Sequence, residues 1–252
     1  MSMPPSQHSA APASTDDAMS GDYSLDPRVY WTTADSLDHA AVRRLSVELS
    51  EEEARRARAF HFDRDRATYI AAHAMLRRLL REALGGEDPH FVLSPLGRPE
   101  LMPRRDGRPV PSFNLTHSCD FAACAILHGA AIGIDAEDIS RPINVAEMAQ
   151  RWFHPSERRV LQRIAEIKRV EMFFRIWTTK EAIVKTTGHG LRIEPQLFAV
   201  DPDRGRAIVP RELGIPTHWR LAEATPLPPI RLTLAVPGRG SLRPSLLRIE
   251  LG

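Results

Sequence analysis

Residues 132–137 read Ile-Gly-Ile-Asp-Ala-Glu, and the rest of the chain can be interpreted outward from this stretch. Side chains alternate between the two faces of a β-strand, so a strand here places Asp135 and Glu137 on one face and the aliphatic residues on the other. Two carboxylates on a partly apolar strand are costly to bury unless a cation, a metal or water compensates them. The pair suits a magnesium or manganese site, but a strand end that reaches solvent is the simpler interpretation of this pattern alone.

A second polar pattern lies in residues 177–185, which read Trp-Thr-Thr-Lys-Glu-Ala-Ile-Val-Lys. Residues four apart share a helix face, so Trp177, Glu181 and Lys185 are predicted to stack on one side. Only three of the 34 basic residues are lysines, and two of them, Lys180 and Lys185, flank this glutamate. An exposed Glu–Lys pair is the simpler interpretation. The apolar neighbours favour a half-buried pair that can provide a metal ligand and a cation for phosphate.

A third pattern, Phe-Asn-Leu-Thr-His-Ser at residues 113–118, predicts a strand that ends in several hydrogen-bonding side chains. His117 can be a core histidine with satisfied hydrogen bonds or a group that contacts an anion. Taken alone, this motif favours the core histidine.

The overall composition is that of a globular protein of one large domain or two small ones, with 252 residues, 42% of them hydrophobic and 26% charged. The net charge of +2 argues against a broad nucleic-acid footprint. Neither a membrane span of about 20 apolar residues nor a basic and apolar leader is evident. We therefore expect a cytoplasmic protein that binds neither nucleic acid nor membrane, with Cys119 and Cys124 as reduced thiols.

Periodicity predicts long helices between groups of short strands. Residues 1–25 are rich in Ser, Pro and Ala and are expected to be disordered. Ser50, followed by an acidic first turn, is predicted to begin one long helix. Gly188 is predicted to end another. Helices are predicted over 50–84, 155–167 and 171–187, and strands over 28–32, 112–115, 121–127, 131–138, 218–222, 230–236 and 246–251. A hairpin turn is predicted at His128-Gly129.

A weak internal repeat connects the two halves of the chain. A Ser-Glu helix start occurs at Ser50 and again at Ser156, about 105 residues later, each followed by an Arg-rich stretch and a long helix that ends at glycine. Two related subdomains would explain this pattern, and so would coincidence between two amphipathic helices.

In their order along the chain, the motifs F-N-x-[ST]-H-S, G-I-D-x-E and W-T-x-K-E-A-x-x-K-x-x-G-x-G-L resemble those of the Sfp-type 4′-phosphopantetheinyl transferases. Gly97-Arg98-Pro99 and the Arg-rich helix around Arg58 and Arg66 add to the resemblance, which covers roughly residues 28–200. The sequence departs from the family pattern at Thr116, which replaces the commoner serine. Further departures are Ala136 in place of a larger aliphatic, Arg56 and Arg58 in place of lysines, and an insertion around Arg104–Arg108 with no assigned role.

The resemblance implies an α+β fold of two similar subdomains in one chain, related by a pseudo-twofold axis. Each would be a small antiparallel sheet packed on a long helix, with the active site between them, and a monomer is expected. The implied divisions are the tail of residues 1–25, an N-terminal subdomain of residues 26–130 and a C-terminal subdomain of residues 131–252 that carries the metal site.

The resemblance also implies an activity and roles for single residues. The family transfers the 4′-phosphopantetheine arm of coenzyme A to a serine of an apo acyl or peptidyl carrier protein, with Mg²⁺ or Mn²⁺, and releases adenosine 3′,5′-bisphosphate. Glu181 and Lys185 would be catalytic, and the base would be Glu181 or a metal-bound water. The implied metal ligands are Asp135, Glu137 and Glu181. The implied coenzyme A contacts are Arg58, Arg66, Arg98, Thr116, His117 and Lys185.

Two other functions remain open from the sequence. A non-catalytic protein that binds coenzyme A or a carrier on the same fold would be expected to have lost a carboxylate or the lysine, and none is missing. A metal-dependent phosphodiesterase or nuclease would need a basic groove and has no use for His117 in its motif. The sequence does not indicate whether the carrier belongs to fatty-acid, polyketide or peptide synthesis.

Overall fold

The structure is a computed structural model that describes residues 26–190 and 193–251, so the predicted disordered tail lies outside the described residues. The fold is α+β, as expected, and no described helix is both long and apolar enough to cross a membrane. The α-helices are α1 His39–Ser46, α2 Glu51–Ala59, α3 Asp63–Ala83, α4 Val145–Trp152, α5 Pro155–Arg163 and α6 Arg169–Thr187. The strands are β1 Arg28–Thr33, β2 Phe91–Leu93, β3 Pro99–Leu101, β4 Ser112–Ser118, β5 Phe121–Leu127, β6 Gly133–Asp138, β7 Ala199–Asp201, β8 Arg206–Ile208, β9 Trp219–Ala224, β10 Ile230–Pro237 and β11 Ser245–Arg248.

A four-stranded sheet in the order β11-β1-β5-β4 forms the first half of the fold, and α3 packs across it. Leucine, methionine and alanine recur at helical spacing along α3, which gives the helix a wide apolar face. Met75 and Leu80 on that face are fully buried in one core cluster with Phe113, Ala122 and Cys124 of the sheet.

A three-stranded antiparallel sheet in the order β6-β10-β9 forms the second half, with α6 packed on β6 and β10. The helix approaches the strand most closely at Gly133. A Cβ atom at this position would overlap the carbonyl oxygen of Ala182 and the hydroxyl of Thr186. The glycine therefore lets α6 lie directly on β6, which brings Glu181 and Lys185 over the strand.

Hydrogen bonds from backbone to side chain join the two sheets where β4 runs beside β6. Side-chain oxygens on every second residue of β4 accept from the backbone N–H groups of every second residue of β6. We call this row of hydrogen bonds the β4–β6 ladder; its pairs are Asn114–Ile134 at 3.0 Å, Thr116–Ala136 at 3.2 Å and Ser118–Asp138 at 3.4 Å. The constant offset of 20 residues fixes the register of the two strands.

The single long helix predicted from Ser50 onward is wrong, because the chain forms two helices, α2 and α3, with a turn at residues 60–62. The predicted cap is confirmed, since the Ser50 hydroxyl accepts from the N–H of Glu53 and the Glu53 carboxylate accepts from the N–H of Ser50. Glu53 also binds His73 at 3.1 Å and Arg77 at 2.6 Å, both on α3. These contacts hold α2 back against α3, and local periodicity does not reveal them.

The predicted hairpin at His128-Gly129 is also wrong. Both edges of β5 are occupied, by β1 and β4, so β6 pairs with β10 instead. The hairpin lies one connection earlier, between β4 and β5, where Cys119 has a left-handed φ of 56°. The polar residues at the end of β4 therefore lie just before a tight turn.

The C-terminal strand returns to the first sheet. β11 pairs in parallel with β1, and Leu251 is buried in the core under α3. The first sheet is therefore mixed, not antiparallel as the resemblance implied. A long connection makes this possible, because parallel neighbours cannot be joined by a short turn.

We expect Gly133→Ala to lower the free energy of unfolding by about 1–3 kcal/mol, because overpacking a rigid site strains its surroundings. Chemical denaturation monitored by circular dichroism would measure this. The double variant Gly133→Ala/Thr186→Ala should not recover stability, because the backbone carbonyl of Ala182 still blocks the Cβ. Recovery would contradict the view that the helix backbone sets the distance.

Candidate active site

The face of β6 that carries Asp135 and Glu137 is covered by α6 and by the end of β4. Trp177 and Lys185 reach these carboxylates from α6, and Glu181 lies between them on the same helix face. The aliphatic side chains of β6 point into the opposite core cluster. The two motifs that the sequence placed on a strand and on a helix therefore meet.

Asp135 is buried and only partly paired. Its Oδ1 accepts a hydrogen bond from Nζ of Lys185 at 2.6 Å, whereas its buried Oδ2 has no hydrogen-bond partner within the described ranges. Burial is the main cause that raises the pKa of Asp135 to about 7. Lys185 opposes this shift, and the negative charges of Glu137 and Glu181 add to it. One lysine thus does not compensate the carboxylates fully.

Three donors from separate parts of the chain hold Glu137. The Ser118 hydroxyl donates to Oε2 at 2.9 Å, and the Arg141 guanidinium donates to the same oxygen at 3.0 Å. The indole N–H of Trp177 donates to Oε1 at 3.3 Å. Both carboxylate oxygens are engaged, so the side chain has one orientation.

Glu181 lies one helical turn before Lys185 and is the least constrained of the three acids. Its carboxylate accepts no hydrogen bond from any described residue. Burial raises the pKa of Glu181, and Glu137 contributes in the same direction, whereas Lys185 and Lys180 lower it. A raised pKa makes a carboxylate a better base near neutral pH.

The donor set suits a hard divalent cation, but the ligands are not preassembled. Mg²⁺ and Mn²⁺ prefer carboxylate oxygens, and Oδ2 of Asp135 and the carboxylate of Glu181 are unengaged. Across residues 26–190 and 193–251, no three His, Cys, Asp or Glu side chains lie close enough to hold a metal. Lys185 compensates Asp135 in this arrangement, so a metal at Asp135 would require the side chains to rearrange.

Sequence comparison identifies the family. A profile of the 4′-phosphopantetheinyl transferase superfamily matches residues 131–235, which contain β6 and α6. The 4′-phosphopantetheinyl transferase HetI of Nostoc sp. is 32% identical over 199 residues, which cover 78% of this chain and 81% of that protein. The chain belongs to the 4′-phosphopantetheinyl transferase superfamily.

Other relatives of this superfamily member agree. A putative 4′-phosphopantetheinyl transferase of Synechocystis sp. is 32% identical over 179 residues, 69% of this chain and 71% of that protein. The holo-[acyl-carrier-protein] synthase of Thermotoga maritima aligns with a TM-score of 0.33 and 18% identity over 44% of this chain and 64% of that chain, too weak a likeness to define the fold. The family resemblance drawn from the motifs is confirmed by the sequence relatives.

His117 of this superfamily member lies on the face of β4 opposite Thr116, toward α3. Its side chain is exposed, yet the surrounding protein partly desolvates the ring and lowers its pKa. Lys185 and His73 lower the pKa further, and Asp65 opposes them. The structure does not support a core histidine, and contact with a nucleotide stays a prediction.

The Thr116 hydroxyl is buried, and its hydrogen bonds are used within the protein. It accepts from the backbone N–H of Ala136 and from Nζ of Lys185, both at 3.2 Å, and lies 3.5 Å from Oδ1 of Asp135. A direct contact with coenzyme A would have to displace one of these partners.

Arg98 is a half-buried connection between the two halves. Its guanidinium donates to the backbone carbonyl of Thr186 at 2.6 Å and to the Ser112 hydroxyl at 2.9 Å. It also reaches the carbonyl oxygens of Phe113 and Ile132 at 3.1 and 3.2 Å. These contacts give the arginine a structural role, and its predicted contact with the nucleotide is not tested by them.

Arg58 and Arg66 lie on α2 and α3, without contact to the carboxylates among the described residues. Arg58 is exposed, whereas Arg66 donates to Asp63 at 2.7 Å and to the carbonyl of Phe60 at 3.0 Å. The structure thus brings together Asp135, Glu137, Glu181, Thr116 and Lys185. Arg58, Arg66 and Arg98 remain outside this group, and their roles remain predictions.

Lys180, the other lysine of the helix motif, is fully buried away from the site. Its Nζ binds Glu157 at 2.9 Å, the carbonyl of Pro195 at 2.7 Å and the carbonyl of Phe198. Burial lowers the pKa of Lys180 and raises that of Glu157, and their mutual attraction opposes both shifts. This ion pair fixes α5 against α6. The three N–H donors of Lys180 are all used in these contacts, so the lysine has no donor left for catalysis.

The sequence analysis missed Ser118, Trp177 and Arg141 as partners of Glu137. The alternation of Asn, Thr and Ser at every second position of 113–118 indicated a polar strand face and could have predicted the first of them. The indole contact depends on the packing of α6 against β6, and the guanidinium contact depends on the path of the turn that follows β6.

We expect Asp135→Asn to stabilise the metal-free protein increasingly as the pH rises from about 4 to about 7. The folded pKa of Asp135 lies above its unfolded value, so the wild-type chain loses stability as the pH rises through that window. The difference should reach a few kcal/mol, on the order of 1.4 for each unit by which the pKa is displaced. Denaturation in EDTA at several pH values would measure it, and a pH-independent difference would contradict it.

Proposed function

We propose that this chain transfers the 4′-phosphopantetheine arm of coenzyme A to a serine hydroxyl of an apo acyl or peptidyl carrier protein, releasing adenosine 3′,5′-bisphosphate. The observation that carries the proposal is the convergence of Asp135, Glu137 and Glu181 with Lys185 at one strand. Membership of the superfamily gives this geometry its chemical meaning.

The carboxylates are incompletely compensated, which favours a cation-assisted phosphoryl transfer. The unpaired Oδ2 of Asp135 and the unengaged Glu181 are the oxygens we propose for Mg²⁺ or Mn²⁺, with Glu137 completing the set. When bound, such an ion neutralises charge on the pyrophosphate of coenzyme A.

The chain's own residues supply the remaining chemistry. The serine oxygen forms a bond to the β-phosphorus of coenzyme A, while the bond from that phosphorus to the bisphosphate oxygen breaks. We assign the serine proton to Glu181, whose carboxylate lies beside Lys185 and accepts no hydrogen bond from the described residues. Lys185, which contacts Oδ1 of Asp135, is proposed to neutralise charge on the phosphate oxygens.

The nucleotide end is proposed to lie toward α3. His117 projects to that side, where Arg58 and Arg66 supply further positive charge. We retain Arg98 and Thr116 as predicted neighbours of coenzyme A, although their side chains are at present bound to other parts of the protein.

We further propose that the fold consists of two related halves that meet near residue 130, as a cytoplasmic monomer. Each half has a sheet and one long helix, α3 or α6, and the proposed site lies where the halves join. The C-terminal strand departs from this division because β11 belongs to the first sheet.

Incubating the chain with coenzyme A, Mg²⁺ and a panel of apo carriers tests the proposal by mass spectrometry. We expect at least one carrier to gain the mass of the phosphopantetheine arm, and excess EDTA to abolish the gain until Mg²⁺ or Mn²⁺ is restored. Coenzyme A binding without transfer to any carrier would favour a non-catalytic binding protein. Full transfer in EDTA would overturn the metal assignment.

Lys185→Ala and His117→Ala should fail in different ways. Lys185 is placed where charge develops, so its loss should lower both kcat and kcat/KM, by roughly 10- to 150-fold for a contact worth about 1.5–3 kcal/mol. His117 is placed on the unreacting nucleotide, so its loss should mainly raise the KM for coenzyme A. Steady-state kinetics with coenzyme A varied would measure both, and the reverse pattern would exchange the two assignments.

A further inference from the structure

We propose that Ser118 is a positioning residue that orients the Glu137 carboxylate for metal binding and ties it to the β4–β6 ladder. The inference rests on the proposed function, because it assumes that Glu137 is a metal ligand. It assigns a role to the last residue of the Phe-Asn-Leu-Thr-His-Ser motif, which neither the motif nor the family match defines.

The hydrogen-bond inventory of the hydroxyl fixes its direction. A serine hydroxyl has one proton to donate and can accept two hydrogen bonds. The backbone N–H of Asp138 is a donor and lies 3.4 Å from Oγ of Ser118, so the hydroxyl must accept there. Its only proton is then free for Oε2 of Glu137, at 2.9 Å. One hydroxyl thus holds the strand and the carboxylate together.

The same arrangement occurs two residues earlier. Thr116 accepts from the N–H of Ala136 and lies beside Oδ1 of Asp135, the carboxylate that precedes that N–H. In both cases a hydroxyl on β4 binds the backbone of one β6 residue and the carboxylate of the residue before it. The repeat follows from the two-residue period of both strands and their fixed register.

The first pair of the ladder supplies a built-in control. The side-chain oxygen of Asn114 accepts from the N–H of Ile134 at 3.0 Å, but the preceding residue is Gly133, which has no carboxylate. Removing Asn114 therefore deletes a ladder hydrogen bond and leaves the acids alone. Removing Ser118 deletes a ladder hydrogen bond and a carboxylate contact.

The contact of Ser118 with Glu137 is also well placed to limit movement of the Glu137 carboxylate. Both Ser118 and Thr116 are buried, and Ser118 lies at the end of β4 next to the tight turn at Cys119. The second donor to Oε2, Arg141, is half exposed, so fewer neighbours restrict it. Ser118 is thus the rigid donor to that oxygen.

The test compares Ser118→Ala, Ser118→Thr and Asn114→Ala in the full chain. Mn²⁺ binding is titrated by electron paramagnetic resonance with coenzyme A present and no carrier, so that no turnover is needed. Thermal unfolding is recorded without metal. Ser118→Cys is made in parallel, because the thiol has similar volume, is a weak donor and keeps the variant set informative if Ser118→Ala does not fold.

We expect both alanine variants to lower the melting temperature, because each loses one hydrogen bond of the ladder. Only Ser118→Ala and Ser118→Cys should weaken Mn²⁺ binding, by about 10-fold or more, as loss of a residue that orients a metal ligand typically does. Ser118→Thr keeps the hydroxyl and should bind Mn²⁺ like the wild type.

Equal weakening by Asn114→Ala and Ser118→Ala would overturn the inference and leave Ser118 a purely structural role. Unchanged Mn²⁺ binding in Ser118→Ala, with normal binding by the wild type, would overturn it as well. If the wild-type chain neither binds Mn²⁺ nor transfers the arm, the proposed function fails first, and this inference falls with it.

Discussion

The structure depends on a requirement for hydrogen bonding at the edge of β6. The backbone N–H groups of this strand that point away from β10 are buried or partly buried, and a buried donor without a partner costs about 1–3 kcal/mol. The β4–β6 ladder satisfies them with side-chain oxygens of Asn114, Thr116 and Ser118. These side-chain oxygens bridge a wider gap between β4 and β6 than hydrogen bonds between two backbones would. The wider gap leaves room for the carboxylates of β6. The connection between the two sheets and the proposed site are therefore the same structure.

Two lysines of α6, the fully buried Lys180 and the half-buried Lys185, show how charge compensation separates structure from chemistry. Lys180 is enclosed with Glu157 and two backbone carbonyls, so its donors are used and its position is fixed. Lys185 faces Asp135, whose second oxygen has no hydrogen-bond partner in the part of the chain that the structure describes, and a further acid, Glu181, lies one turn away. The first group is complete without a ligand. The second has more negative charge than the protein neutralises, which is the property expected of a site that binds a cation and a phosphate.

Arginine serves mainly to hold the fold together. Arg98 connects the end of α6 to β4 and to the start of β6 through backbone carbonyls. Arg77 connects α3 to Glu53, and although burial opposes it, hydrogen bonds from His73, the Ser50 N–H and Arg77 lower the pKa of Glu53 to about 2. The planar guanidinium, with its five donors, suits such multiple contacts. The small number of lysines thus leaves Lys185 as a distinctive group in the site.

The sequence by itself determined the strand period that pairs Asp135 with Glu137, the helix face of Glu181 and Lys185, and the order of motifs that defines the family. These depend on contacts within one element, where spacing fixes geometry. Only the tertiary structure decided that β6 pairs with β10 and not with β5, and that Ser118 and Trp177 hold Glu137. It also decided that the Arg98 guanidinium binds backbone carbonyls of the protein. The separations are 19 positions for Ser118 and Glu137, 88 for Arg98 and Thr186, and 102 for Gly133 and Ala235, and no local periodicity encodes which partner a residue meets across such distances.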